Sequence, residues 1–166
     1  DRGGIVTATG SITGFGSVHV NGVHYVTTGA TITLDDNPGA ESDLRVGQVV
    51  RIEGRIDQDG VNGTATRVIF DDEVEGPVQS IDRVNSRLVV LGRTVQVSTQ
   101  TSFDDSISPR SLEGVAVGER IEVSGLVATT GVVEATRIER KTAQSSVEVK
   151  GTISALDTNA RSFALS

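Results

Sequence analysis

The only two histidines of the chain, His19 and His24, lie five residues apart in the segment His19-Val20-Asn21-Gly22-Val23-His24. Asn-Gly between alternating residues is a strong signal for a type I′ hairpin turn. If Asn21 and Gly22 form the loop, Val20 pairs with Val23. His19 then faces His24 on one side of the sheet, close enough for both to hold one metal ion. Zinc asks for a third or fourth ligand, and the matching hairpin around Gly92 carries no histidine. The plainer reading of the pair is an exposed cross-strand polar contact.

Acidic clusters are the second set of candidates: Asp35-Asp36 followed by Asn37 and Asp43, Asp104-Asp105, and Asp71-Asp72-Glu73. Turns dense in Asp and Asn can supply several of the six or more oxygens that Ca2+ or another hard divalent cation takes. The spacing is not that of an EF-hand loop, which alternates its ligands around a central Gly and ends on Glu. Asp ahead of a short helical turn serves as a cap or an Asx-turn in the competing reading. The metal candidates are therefore Asp35, Asp36, Asp104, Asp105, His19 and His24, and no resident cofactor is expected.

Catalytic arrangements are sparse. The sequence has no Gly-x-Ser-x-Gly elbow, no phosphate-binding Gly-rich loop with Lys and no His-Glu-x-x-His helix. Carboxylate pairs such as Glu53 with Glu75, or Glu122 with Glu139, could meet in space as an acid and a base, but alternating charges on strands usually face solvent. The expectation is a protein that is not an enzyme, with no catalytic residues to name.

These residues must be positioned by strands. With 19 Gly, 3 Pro and recurrent Val, Ile and Thr among 166 residues, the chain suits many short strands joined by tight turns. A formal net charge of −7, with both signs interspersed, repels nucleic-acid phosphates and anionic membrane surfaces. The five aromatic residues, Phe15, Tyr25, Phe70, Phe103 and Phe163, are read as packing residues, and no nucleic-acid partner is expected. No apolar run approaches the roughly 20 residues of a membrane span. The absence of Cys rules out disulfides and thiolate sites. The absence of Met points to a processed or excised chain, with any signal peptide or lipid anchor upstream of Asp1.

An internal repeat organises the whole. Glu73-Val74-Glu75-Gly76-Pro77-Val78 is echoed by Glu148-Val149-Lys150-Gly151-Thr152-Ile153. Val46-Gly47 through Ile52-Glu53-Gly54 matches Val117-Gly118 through Val123-Ser124-Gly125, and both copies continue to Ala-Thr-Arg, at Ala65-Thr66-Arg67 and Ala135-Thr136-Arg137. The Asp doublets correspond as well, each a little before the first of those glycines. The units are expected at residues 5–73, 74–146 and, as a partial third copy, 147–166.

In the second unit the pattern predicts strands at 74–82, 88–91, 94–98, 119–127 and 132–139, with a short helical turn near 111–114. Five strands, an insert after the third, and a glycine that lets the first bend across the sheet predict an all-β fold of tandem small OB-like five-stranded barrels. The alternative is a β-sandwich. The third unit supplies only a hairpin, which is marginal alone in water. It should pack on the second barrel or add to a neighbouring molecule's edge, a route to self-association.

The segment Gly10-Ser-Ile-Thr-Gly-Phe-Gly-Ser-Val-His-Val-Asn-Gly22, then Asp35-Asp36, Asp43-Leu44-Arg45-Val46-Gly47 and Ile52-Glu53-Gly54, resembles the bacterial domain-of-unknown-function 5666 family. The second copy keeps Val74-Glu75-Gly76-Pro77-Val78, Val123-Ser124-Gly125 and Ala135-Thr136-Arg137 in the same style and departs at Ser80-Ile81-Asp82-Arg83. The resemblance implies tandem copies in exported proteins and lipoproteins, hence an extracytoplasmic bacterial setting: periplasmic, cell-surface or secreted. It carries no functional residues. The expected function is a non-catalytic structural or binding module whose partner is a protein or glycan at the cell surface. The alternatives are a cation- or oligosaccharide-binding OB-type protein and, further off, a cell-wall hydrolase.

Overall fold

A computed structural model describes residues 4–142 and 147–165. The first unit runs β1 (Gly4–Gly14), β2 (Val18–Val20), β3 (Val23–Val26), β4 (Thr31–Leu34), β5 (Asn37–Gly39), β6 (Val49–Ile56) and β7 (Asn62–Phe70), with a 3-10 turn at Glu41–Asp43. The second runs β8 (Val74–Asp82), β9 (Arg87–Val90), β10 (Arg93–Gln96), β11 (Ser102–Phe103), β12 (Arg120–Val127) and β13 (Val133–Arg140), with a 3-10 turn at Leu112–Gly114. A short strand, β14 (Glu148–Val149), belongs to the third unit. The boundary expected after residue 146 falls at 143–146, outside the described residues.

Each unit closes on itself. In the first, the order β3-β2-β1-β6-β7 is sealed by a parallel pairing of β3 with β7. In the second, β10-β9-β8-β12-β13 is sealed by β10 with β13. These are the tandem five-stranded barrels that the sequence predicts, and closure removes most free edges. The first strand does what its glycine allows: β1 pairs with β6 from Gly4 to Ser11, then crosses to β2 at Ile12 and Gly14 through an irregular register. β8 makes the same change, with its irregularity between Val78 and Ser80.

Additional strands extend beyond the five. β4 lies parallel to the far half of β7 and carries β5, and β11 takes the same place on β13. Sequence reading missed them because they are short and interrupted by polar residues. Each barrel has its own core. Val18, Val20, Tyr25, Ile52, Val68 and Phe70 anchor the first, and Val78, Leu88, Val95, Ile121, Val133 and Ile138 the second. Alternation is the cause: inward Val and Ile are fully buried while their neighbours on each strand face out. No helix of the described residues is long and apolar enough to cross a membrane.

The third unit divides in two. β14 adds antiparallel to β8, with Glu148 opposite Glu75 and Val149 opposite Val74, and Val149 packs on the second core. Beyond it, Ile153 bridges Leu165 and Asp157 bridges Ser162. This is the β8–β9 register of Val78 with Val90 and Asp82 with Arg87, repeated 75 residues later. Ile153 and Phe163 are more than half exposed.

Candidate functional site

The sequence places the two histidines correctly. Asn21 (φ 52°) and Gly22 (φ 80°) form the two-residue turn, and His19 stands directly opposite His24. Their rings stack with centroids 3.9 Å apart and planes 6° from parallel. Val18, Val20, Val23 and Tyr25 point inward, so the histidines lie on the outer face of β2 and β3, the face on which OB barrels hold ligands. His24 is exposed and His19 half-buried.

The Asp doublets correspond in sequence but not in structure. Asp35 (φ 46°) and Asp36 (φ 62°) are the two central residues of the turn joining β4 to β5, a type I′ turn. Asp35 accepts a hydrogen bond from the Asp72 amide at 3.2 Å. Asp104 instead makes an Asx-type turn, accepting from the Ser106 amide at 3.0 Å and its hydroxyl at 2.6 Å. Those bonds, led by the Ser106 hydroxyl, hold its carboxyl below the usual carboxylate range. Asp105 pairs with Arg110 at 2.5 Å on the surface. Among the described residues no group of three or more His, Cys, Asp and Glu side chains gathers in a metal-holding arrangement.

The densest ionisable cluster was only partly visible in the sequence. Glu148 of β14, Glu75 of β8, Glu122 of β12 and Glu139 of β13 are directly opposite one another along four adjacent strands, which puts them in one row on one face. Lys141 and Lys150, each two residues beyond a glutamate of the row, sit beside it. The Lys141 ammonium is 2.5 Å from Glu122 and 3.6 Å from Glu139. Lys150 donates to the Asp72 carbonyl at 2.5 Å and lies 3.8 Å from its carboxylate. Glu122 and Asp72 are 3% and 1% exposed, and Glu75 Oε1 and Asp72 Oδ2 are buried without a hydrogen-bond partner.

Burial dominates the electrostatics of this row. It pushes Glu122 up to about 7 against the pull of Lys141, with Glu139 and Asp35 adding to the rise. Burial also pushes Asp72 up, opposed by Lys150. Lys141 loses some of its affinity for the proton to burial but gains more from Glu122 and the neighbouring carboxylates, so its net shift is upward. Arg137 links the row to the Asp104 turn: it is 2.5 Å from Glu139, 3.6 Å from Asp104, and donates to the Val46 carbonyl of the first barrel at 3.2 Å.

Of the carboxylate pairs that the sequence offers, Glu122 and Glu139 do meet, as cross-strand neighbours sharing one ammonium. Glu53 pairs instead with Arg51 at 3.1 Å and Arg67 at 3.4 Å. The corresponding row of the first barrel reads Thr9, Arg51 and Ile69, so the acidic row belongs to the second copy alone. Its signal in the sequence was the outward position of a glutamate on each strand, which needed the register to become a cluster.

No curated protein and no solved structure matches the chain. A family model described as a domain of unknown function matches residues 3–69 and again 75–139, one segment to each barrel. With two tandem matches spanning most of its length, the chain belongs to the DUF5666 family of domains of unknown function.

Proposed function

We propose that this chain is a non-catalytic module of exported bacterial proteins, secreted or lipid-anchored, which serves structure or binds a protein or glycan at the cell surface. One observation carries the reading. Glu122 and Glu139, cross-strand neighbours and the one carboxylate pair of the two considered that does meet, share the Lys141 ammonium at 2.5 and 3.6 Å, a bond that ties β12 and β13 together. The net charge of −7 speaks against nucleic acid as the partner. Assays against a broad panel of ester, glycoside, peptide and phosphate substrates should show no turnover. A turnover abolished by Glu122→Gln or Glu139→Gln would overturn the reading and favour a hydrolase.

The second reading, a cation- or oligosaccharide-binding OB-type protein, is favoured by the stacked His19–His24 pair on the outer face of β2 and β3. A ligand that binds only the folded state raises the melting temperature. Thermal-shift curves with divalent cations and cell-wall oligosaccharides that stay flat at about 5 mM ligand would remove this reading.

A further inference from the structure

We propose that His19 and His24 form a two-imidazole chelate for a transition-metal ion of the Cu2+, Ni2+ or Zn2+ class on the outer face of the first barrel. The proposal rests on the second reading above and names the ligand class for that face. Several independent features of the backbone converge on it.

The Asn21-Gly22 turn fixes the register, so the two rings cannot slip apart along the strands without undoing the hairpin. They already lie face to face at 3.9 Å. Metal–imidazole bonds are about 2.0–2.1 Å, so two nitrogens on one ion stand about 3 Å apart. An imidazole nitrogen bonds a metal in the plane of its ring, so binding requires both rings to turn out of the parallel stack about their side-chain torsions until their lone pairs converge on one ion.

The row across the barrel is also built to suit. Gly14 of β1 is opposite His19, and a Cβ there would come 3.2 Å from His19 Nδ1, so the glycine leaves the ring its space. On the other side, Asn62 of β7 is level with His24. Its Nδ2 is committed to Asp59 at 2.7 Å, which leaves the amide oxygen as the ligand atom it can offer. The row thus reads Gly14, His19, His24, Asn62, with solvent over His24 to complete the coordination.

Donor chemistry selects the metal. Imidazole nitrogen suits Cu2+, Ni2+ and Zn2+, whereas Ca2+ and Mg2+ take several oxygens that this row lacks. In the second barrel the same positions hold Val89 opposite Thr94, with no ligand atom suited to these ions. The full chain is therefore expected to bind one ion, held by the first barrel.

Calorimetric titration of the full chain with CuCl2 and with ZnCl2 tests this. The expected result is one site per chain, tighter for Cu2+ than for Zn2+. His19→Ala and His24→Ala should each weaken binding by about tenfold or more, a difference readily resolved as a free-energy change. Both residues are outside the core, so each variant should melt as the parent does without metal. The double variant Val89→His/Thr94→His should raise the stoichiometry to two. Unchanged affinity in both alanine variants would overturn the site while leaving cation binding elsewhere on the chain. No binding up to about 1 mM metal would overturn the chelate, with the oligosaccharide arm of the thermal-shift screen left to decide the broader reading.

Discussion

At the scale of the residue, Glu122 shows how burial and charge compete. A carboxylate 2.5 Å from an ammonium ordinarily has its pKa lowered, yet Glu122 rises to about 7 because it is buried among other carboxylates. Its pKa in the folded state lies above the unfolded value, so the folded chain holds this proton more tightly. The resulting stability is fully present below about 4.5, the ordinary value, and is lost as pH rises through about 7. Thermal melts should therefore show stability falling between pH 5 and pH 8. Glu122→Gln, which cannot ionise, should flatten that fall by on the order of 1–3 kcal/mol. Identical pH slopes for the two proteins would show that Glu122 takes up no proton on folding. Alternation showed Glu122 pointing outward from its strand; it could not show that the outward face is itself covered.

Among the elements, β14 is the one whose place the sequence left open between two outcomes. It packs on the second barrel, filling the side of β8 that β9 leaves free in its first half. Val149 covers the core, and the Lys150 amide donates to the Glu73 carbonyl at 3.2 Å. Val149→Asp should detach the strand at a cost of roughly 1–2 kcal/mol. Hydrogen exchange provides the check, because the Lys150 amide, which donates to the Glu73 carbonyl, should exchange faster in the variant while the Glu73 amide, which donates to the Val123 carbonyl of β12, keeps its protection. Equal protection throughout would show that β14 adds nothing to β8. The hairpin strands and their I′ turns were legible because their signals are local: Asn21-Gly22 announces itself, and Leu91 (φ 47°) with Gly92 (φ 78°) makes the matching turn at the same point of the second unit. β4, β5 and β11 were not legible, since each has four residues or fewer, β4 and β11 depend on parallel partners distant in sequence, and β5 is held only through β4.

For the whole molecule, the question is what holds two closed barrels together. Gly47 and Gly118 occupy equivalent turns, with φ of 91° and 89°. A Cβ at Gly118 would meet nothing, but one at Gly47 would come 2.7 Å from the Thr136 carbonyl of the second barrel and 3.1 Å from the Arg137 Cβ. Both alanine variants carry the backbone strain of the left-handed region, roughly 1–2 kcal/mol. Gly47→Ala must also push the barrels apart and lengthen the bond from Arg137 to Val46. Urea denaturation should show Gly47→Ala destabilised by at least about 1 kcal/mol more than Gly118→Ala, and small-angle scattering should show a larger radius for Gly47→Ala alone. Equal losses would mean that the barrels do not depend on this contact.

By itself the sequence determined the duplication, the five-strand plan of each unit, the bend of its first strand at Gly10 and Gly76, and the facing histidines. All of these follow from local alternation and turn chemistry, which act over a few residues. Tertiary structure alone decided that Glu148, Glu75, Glu122 and Glu139 form one row. It alone decided that the corresponding Asp doublets adopt different turns, and that Arg137 joins that row to Asp104 and to the first barrel. Those outcomes depend on register between strands far apart in the chain, where a shift of one residue turns every side chain to the opposite face.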